Sequence, residues 1–334
     1  MRTYLLKRLL LMVPTMLGIT VLTFVIIRLA PGDPAAMRVG TGVAGMIGDQ
    51  QLAQEIIEKT RQAFGLDKPL PVQYWLWLNR IATLDFGRSY KDNRPVMEKI
   101  WERLPVTIQI NAISLFLIYF FAIPIGIYSS THPYSFGDKV STVALFIMYS
   151  LPSFWVATLL LLFFAGGDYW YWFPVSGISS LDADQMAFGE WLKDRLWHLT
   201  LPVLCLTYGG LAYVSRQMRA GMLETIRQDY IRTARAKGLS ERVVVFKHAF
   251  RNSLIPIVTL LGFLLPALFG GSVIIEYIFS IPGMGQLGFE AILSRDYPVV
   301  MAISTIAAFL TLLGLLLSDI LYALVNPTIS LEAQ

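Results

Sequence analysis

Six apolar stretches govern what this chain can become: Leu9–Leu29, Val106–Ser129, Val140–Ala165, Leu199–Val214, Leu254–Ile278 and Val299–Val325. A helix needs about 20 apolar residues to cross the hydrocarbon core of a bilayer, and all but the fourth stretch reach that length. The fourth is short and holds Pro202, so it must extend either back through Trp191 and Leu192 or forward past Arg216. Composition points the same way: apolar types make up 55% of the 334 residues, charged types 15%, and the mean hydropathy is +0.57. A soluble domain carries about a quarter charged residues, so this surface is too poor in polar groups to face water all round. The expectation is an all-α membrane protein with six transmembrane helices.

Cysteine and histidine usage removes other classes. A lone Cys205 excludes a disulfide framework within the chain, and His132, His198 and His248 lack ligand-like spacing. Lys7 and Arg8 ahead of the first stretch resemble a secretory signal. Its apolar run is longer than a signal peptide needs, and no small-x-small cleavage site precedes Pro31, so a permanent helix is expected.

Basic residues set the orientation. Arg2, Lys7 and Arg8 precede the first stretch, and nine cations crowd the segment 216–251: Arg216, Arg219, Arg227, Arg232, Arg235, Lys237, Arg242, Lys247 and Arg251. The 166–198 loop has Lys193 and Arg195 against five acids, and 279–298 has only Arg295. By the positive-inside rule the N-terminus, the 130–139 loop, the 216–251 loop and the C-terminus are cytoplasmic. The aromatic run Tyr169–Phe173 then falls where an outer interfacial belt belongs.

Four regions follow: an N-terminal helix (1–30), an outer helical region (31–103), a five-helix core (104–326) and a short cytoplasmic tail (327–334). In the outer region Asp49–Phe64 and Val72–Thr83 read as amphipathic helices, and Pro95–Arg103 as a third short one. The glycine-rich stretch Gly40–Gly48 reads as a loop. Such a cap suits contact with a soluble partner, closure of an outer gate, or plain packing on the helix ends.

The inner segment carries most of the information. Met222, Ile226, Tyr230 and Ala234 recur at helical spacing, and Gly238 suits a left-handed stop. Ser240 can cap a following helix, Glu241–Asn252, which leads into the fifth stretch before Pro256. The turn between them mixes small residues with cations, which suits docking into a groove of another protein. A DNA-reading helix–turn–helix is the alternative, but inserting one between two of six spans is an unusual way to tether it.

The run Arg227–Ser240 (RQDYIRTARAKGLS) followed by His248–Pro256 (HAFRNSLIP) resembles the EAA loop of binding-protein-dependent ABC importer permeases, and more narrowly the dipeptide/oligopeptide/nickel family. The resemblance extends to 30–34 (APGDP), 64–74 (FGLDKPLPVQY), 85–89 (DFGRS), 173–177 (FPVSG), 281–287 (IPGMGQL) and 295–298 (RDYP), in the order of the B-type permease subunit. Arg232 stands where the general pattern has glutamate, as is usual in the peptide branch.

The resemblance implies the type I permease fold and a bacterial or archaeal cytoplasmic membrane. It implies a second, homologous permease, two ABC ATPase subunits and an extracytoplasmic solute-binding protein as partners. ATP and Mg would sit on the ATPases, leaving this chain without cofactor, metal or catalysis. Tyr230, Ile231, Arg232, Thr233, Ala234, Arg235, Ala236, Lys237, Gly238 and Leu239 would form the coupling element. The cargo would be a peptide, or alternatively nickel or an oligosaccharide. The chain holds no G-x-x-x-x-G-K-[ST] phosphate loop, so energy comes from a borrowed motor or, in the rival reading, from an ion gradient driving a lone transporter or channel. The spans lack the run of acids an ion relay would need.

Ionisable residues at depth each need a reason, because they cost roughly 2.5–3.5 kcal/mol on insertion scales. Arg28 can snorkel from the outer end of the first stretch, and Asp319 suits a structural pair. Glu276, between Gly270-Gly271 and Ile281-Pro-Gly283, is open to two roles: a gate or pathway residue, or a structural pair. Pro266 and the Pro152–Ser153 step mark further pathway or hinge candidates, Pro124–Gly126 reads as an interruption of the second span, and Gly314 with Ser318 suits close packing on a partner helix.

Overall fold

The computed structural model describes residues 2–29, 32–33, 35–36, 50–166 and 169–325. The Gly40–Gly48 stretch and the 327–334 tail lie outside them. The described residues are almost entirely helical.

Helix α1 (Arg2–Leu29) runs straight through Pro14. The cap follows as α2 (Gln50–Ala63), ended by Gly65 at φ +65°, and α3 (Leu70–Ala82), started by Pro69 and Pro71. The expected third short helix of the cap is instead the opening of α4 (Val96–Thr131), which carries on through Pro105 and Pro124 without a break. The outer region and the core therefore share one helix across residues 103 and 104. At Gly126 the anticipated interruption is a packing site, since a Cβ there would run into Met218 and the Ser215 carbonyl.

The third apolar stretch is sharply bent. Helices α5 (Phe136–Ser150) and α6 (Ser153–Phe164) meet at 96°, with Leu151 extended and Pro152 at the start of α6. Helix α7 (Phe188–Ile226) settles the ambiguity of the fourth stretch by extending both ways. Its 39 residues span about 58 Å at 1.5 Å per residue. Among the described residues four helices, or five with the bent pair as one span, are long and apolar enough to cross a membrane. Helix α7 is long enough but too polar at its ends to be among them.

The inner segment divides into α8 (Asp229–Ala236), α9 (Glu241–Val243), a π-helical turn (Val244–Ala249) and α10 (Phe250–Ser253). The fifth stretch is α11 (Ile255–Leu261) and α12 (Leu264–Gly270), followed by α13 (Val273–Ile278) and α14 (Met284–Leu293). Helix α15 (Tyr297–Val325) ends the described chain.

The two long helices α4 and α7 form the centre. They approach closely where Gly126 and Gly210 face Met218 and Ile118, the small-residue packing that membrane helices rely on in place of a hydrophobic drive. One apolar cluster (Ile118, Ile127, Met218, Met222, Ile231, Val244) fills the half of this pair at the α8 end, named inner after the sequence expectation, and another (Val106, Ile110, Leu199, Cys205, Ile275, Phe279) the opposite half, named outer.

Pro266 and Gly314 act together. Proline has no N–H to donate to the carbonyl four residues back, which here belongs to Gly262, at the junction of α11 and α12. A Cβ at Gly314 would overlap that carbonyl oxygen, and Ser318 Oγ donates to Val258 O at 3.1 Å. The Gly314–Ser318 pair thus seats α15 on the fifth stretch of its own chain. A Gly314→Val variant is expected to lose about 1–3 kcal/mol through overpacking, read as a lowered thermal midpoint in detergent. Gly18→Ala, whose Cβ would meet nothing within 4 Å, should leave the midpoint unchanged.

Candidate functional site

At the inner end, α7 stops at Ile226 because Gln228 turns extended (φ −71°, ψ 150°), so the periodicity from Met222 to Ala234 belongs to two helices, not one. Ile231 and Ala234, three apart on α8, are buried among Met222, Val244 and Ala249. The other expected coupling residues, Tyr230, Arg232, Thr233, Arg235, Ala236, Lys237, Gly238 and Leu239, are exposed. Two residues of the ten anchor the helix, and eight present its outer face.

Gly238 stands at φ +78°, with its N–H donating to Arg235 O at 2.9 Å and that of Leu239 to Ala234 O at 3.4 Å. A side chain would meet nothing within 4 Å, so glycine is required by backbone conformation alone. Ser240 occupies the cap position of α9, but its side chain makes no capping bond. Instead Arg235 closes the turn by pairing with both Glu241 oxygens, at 2.7 and 3.3 Å. Asn252 Nδ2 donates to Tyr230 Oη at 2.8 Å, tying α8 to α10. The π turn widens the helix by one residue per turn and brings Val244, Val245 and Ala249 into the core together.

The outer end of the fifth stretch is built around Glu276. Its side chain is buried on α13. Backbone N–H groups of Ser272 and Gln286 donate to its two oxygens at 3.2 and 2.8 Å, and Thr107 Oγ1 of α4 lies 3.4 Å away. Thr107 Oγ1 itself accepts from Met284 N at 2.7 Å. A Cβ on Gly271 or Gly283 would overlap the carboxylate, so the flanking glycines are there to let the backbone close around it. These hydrogen bonds tie the 271–286 loop together and to α4 through Glu276. Pro266 lies on α12 and Ser153 opens α6 at the bend; neither touches Glu276 in any hydrogen bond among the described residues.

Other charged residues find partners. Arg8 lies 3.2 Å from Asp319, joining α1 to α15, the structural pair expected for Asp319. The Arg28 guanidinium sits over the rings of Phe24 and Tyr297. Two junctions have no simple sequence signal, since their partners are far apart in the chain. Buried Asp296 accepts from Ser89 Oγ and from Tyr90 N at 2.7 Å, joining the 85–89 and 295–298 motifs. Beside it, burial works against the Asp92 charge, but Lys99 Nζ at 2.8 Å, Ser89 and the Arg94 N–H outweigh it and hold its carboxyl below the usual range. At the inner end Arg219 of α7 pairs with buried Asp138 of α5 at 3.1 Å.

The family described as "Binding-protein-dependent transport system inner membrane component" matches residues 122–331, and its N-terminal companion matches 1–111. The chain belongs to this family. Relatives span its whole length. The oligopeptide transport system permease protein AppB of Bacillus subtilis is 39% identical over 98% of this chain and 99% of its own. The inner membrane ABC transporter permease protein YejB of Escherichia coli O157:H7 is 37% identical over all of both chains. The dipeptide transport system permease protein DppB of Alkalihalophilus pseudofirmus is 36% identical over 98% and 99%. In structure, a chain of the inward-facing MetNI methionine ABC transporter aligns with a TM-score of 0.52 at 18% identity, over 69% of this chain and 97% of that one. The permease therefore has the type I ABC importer fold.

Replacing Glu276 with Gln in the permease would turn an NH2 group toward backbone donors. Each unsatisfied buried group costs about 1–3 kcal/mol, so amide exchange across 271–286 should quicken by about fivefold or more, as measured by hydrogen–deuterium exchange. Exchange in α8 should be unaffected.

Proposed function

We propose that this chain is one permease subunit of an ATP-driven importer, moving peptides or similar small solutes into the cytoplasm by alternating access. The single observation that carries the reading is the α8 hairpin. It stands at one end of the α4–α7 pair, anchored by Ile231 and Ala234 with the face that carries Arg232, Arg235 and Lys237 exposed. Relatives named as oligopeptide and dipeptide transport permeases support a peptide cargo.

The reading has six crossings: α1, α4, the bent α5–α6 pair, α7, the 255–278 stretch and α15. Both termini face the cytoplasm of a bacterial or archaeal cell, bounded by the cytoplasmic membrane. The Arg8–Asp319 pair supports this, because it brings the start of α1 and the end of α15 to the same side. The partners are a second, homologous permease, two ABC ATPases carrying ATP and Mg, an extracytoplasmic solute-binding protein and membrane lipid. Within 31–103 the surface away from α3 faces the binding protein, and 216–252 face the ATPases. ATP-driven closure of the ATPases moves the Tyr230–Leu239 element, and α7 carries that motion into the bundle. Glu276 holds the outer loop in one shape as the pathway opens, while Pro266 and Ser153 mark the breaks about which helices α12 and α6 can turn. Catalysis of ATP hydrolysis belongs to the partners.

Gly238→Val tests the coupling role. Left-handed backbone costs a side chain about 1–2 kcal/mol, and the site offers no steric clash, so the variant should insert normally. ATP-dependent peptide uptake in proteoliposomes should fall at least tenfold, while Gly238→Asn, which tolerates the left-handed region, retains most of it. Full uptake by the valine variant would remove α8 from the mechanism. The permease purified alone should hydrolyse no ATP, and turnover from it would refute the borrowed motor. Uptake that survives without ATPases but collapses with an ion gradient would establish the gradient-driven alternative.

A further inference from the structure

The outer cap holds a cavity of about 700 Å³ that no part of the import mechanism uses. It opens between the end of α1, the α2–α3 turn and the 85–93 turn. Arg28, Lys68, Arg80 and Arg88 line it, with Asp85 as the one acid among its lining residues. None of these four cations forms a salt bridge to a carboxylate among the described residues. Arg88 gives one N–H to Asn93 O at 2.9 Å, and Asp85 accepts from Gly87 N. Arg28 stacks over Phe24 and Tyr297 and hydrogen-bonds Tyr90 through its side chain, yet its Nε is buried with no hydrogen-bond partner. Elsewhere in the cap cations find acids, as Arg61 does with Asp33 and Lys99 with Asp92. An unneutralised cluster of this kind selects an anion.

The position of α3 says where the anion comes from. Tyr74 Oη lies 3.0 Å from Thr20 Oγ1, and Phe24 packs on Tyr74 and Trp77. Thr20 sits eight residues inward of Arg28 on α1, about 12 Å along the helix. Helix α3 is thus docked against the apolar length of α1, at the level of the bilayer rather than above it. Its far side exposes Val72, Trp75 and Leu76, a stripe at helical spacing. A helix with that face turned away from the protein lies in the membrane interface, and Leu76 and Trp77 continue its surface into the cavity. A cationic pocket at headgroup depth, flanked by apolar and aromatic side chains, has the chemistry of a phospholipid site.

We propose that this cavity binds the phosphate headgroup of an anionic glycerophospholipid, with the acyl chains lying along the exposed face of α3. Arg80 and Arg88 supply charge-assisted hydrogen bonds to the phosphate oxygens, and Arg28 reaches it from below. The bound lipid holds the cap at a set depth beside α1.

The full-length permease, assembled with its partner subunits in phosphatidylcholine nanodiscs, is exposed to a photoactivatable phosphatidylglycerol. Label is expected within residues 62–93. Arg80→Gln combined with Arg88→Gln should lower that labelling at least tenfold, and Arg80→Lys with Arg88→Lys should restore it to within about threefold. Equal labelling of the glutamine variant, or label confined to other segments, would overturn the proposal. So would protection by glycerol 3-phosphate at the concentration at which unlabelled phosphatidylglycerol protects, which would assign the pocket to a soluble phosphate ester. Labelling of equal extent by a photoactivatable phosphatidylcholine would remove the charge selection. Because the readout is lipid labelling, it is independent of whether the permease imports peptides.

Discussion

A bilayer offers a peptide group no hydrogen-bond partner, so every place where a buried helix breaks must be closed by the protein itself. This chain breaks its helices repeatedly, and two unbroken helices supply most of the closure. At the α5–α6 bend, Tyr208 of α7 donates to the Leu151 carbonyl at 2.7 Å. Where α12 ends, Asn111 of α4 donates to the Ala267 carbonyl at 2.7 Å. Where α13 gives way to α14, Thr107 of α4 takes the Met284 N–H, and Gly177 of the 165–187 loop donates to Phe279 O at 2.8 Å. The breaks are tolerated because α4 and α7 stand beside them with a polar group at the right height.

That role explains why α4 and α7 are long and why glycines lie between them. Gly126 and Gly210 set the separation of the pair, and Gly221 does the same between α7 and the Ser253 carbonyl of α10. A methyl group at Gly126 or Gly221 would meet a backbone carbonyl and push apart helices whose polar side chains must reach neighbouring carbonyls within about 3 Å, whereas at Gly210 it would meet the movable end of Ile118. Packing distance and hydrogen-bond closure are one constraint. The inner loop inherits it, since α8 is anchored in the apolar cluster that fills the inner half of the same pair.

The apolar stretches were legible because a bilayer imposes length and composition together, and five of the six reappear close to their expected bounds. The fourth was not, because α7 carries Asp194 and Arg195 near one end and Arg216 and Arg219 near the other, which hide a continuous helix from an apolar count. The left-handed Gly238 was readable from residue type. The break at Gln228 was not, since neither Arg227 nor Gln228 is a breaker, and burial of Ile231 and Ala234 in the α7–π-turn core accompanies it. Glu276 stood out as an acid at depth, but its role depends on N–H groups of Ser272 and Gln286, and no side-chain pattern reveals backbone donors. The Ser89–Asp296 and Asp138–Arg219 junctions join segments 207 and 81 residues apart, beyond the reach of any local signal.

The two ends of the molecule are held by different physics. Around Glu276 and Asp296 the outer end is fixed by charge-assisted hydrogen bonds to buried carboxylates, which are directional and weaken steeply when bent. Such a knot has one geometry and moves as a unit or not at all. At the inner end α8 itself is seated by aliphatic contacts of Ile231, Ala234, Met222 and Val244, while its turn at Gly238 is closed by Arg235 and Glu241, and the Arg219–Asp138 pair ties α7 to α5 beside it. Apolar packing is non-directional, so helices joined by it can slide or rotate a little without losing a bond. In the proposed cycle, force applied to α8 meets an aliphatic seat at its own end of the bundle and hydrogen-bonded knots around Glu276 and Asp296 at the other.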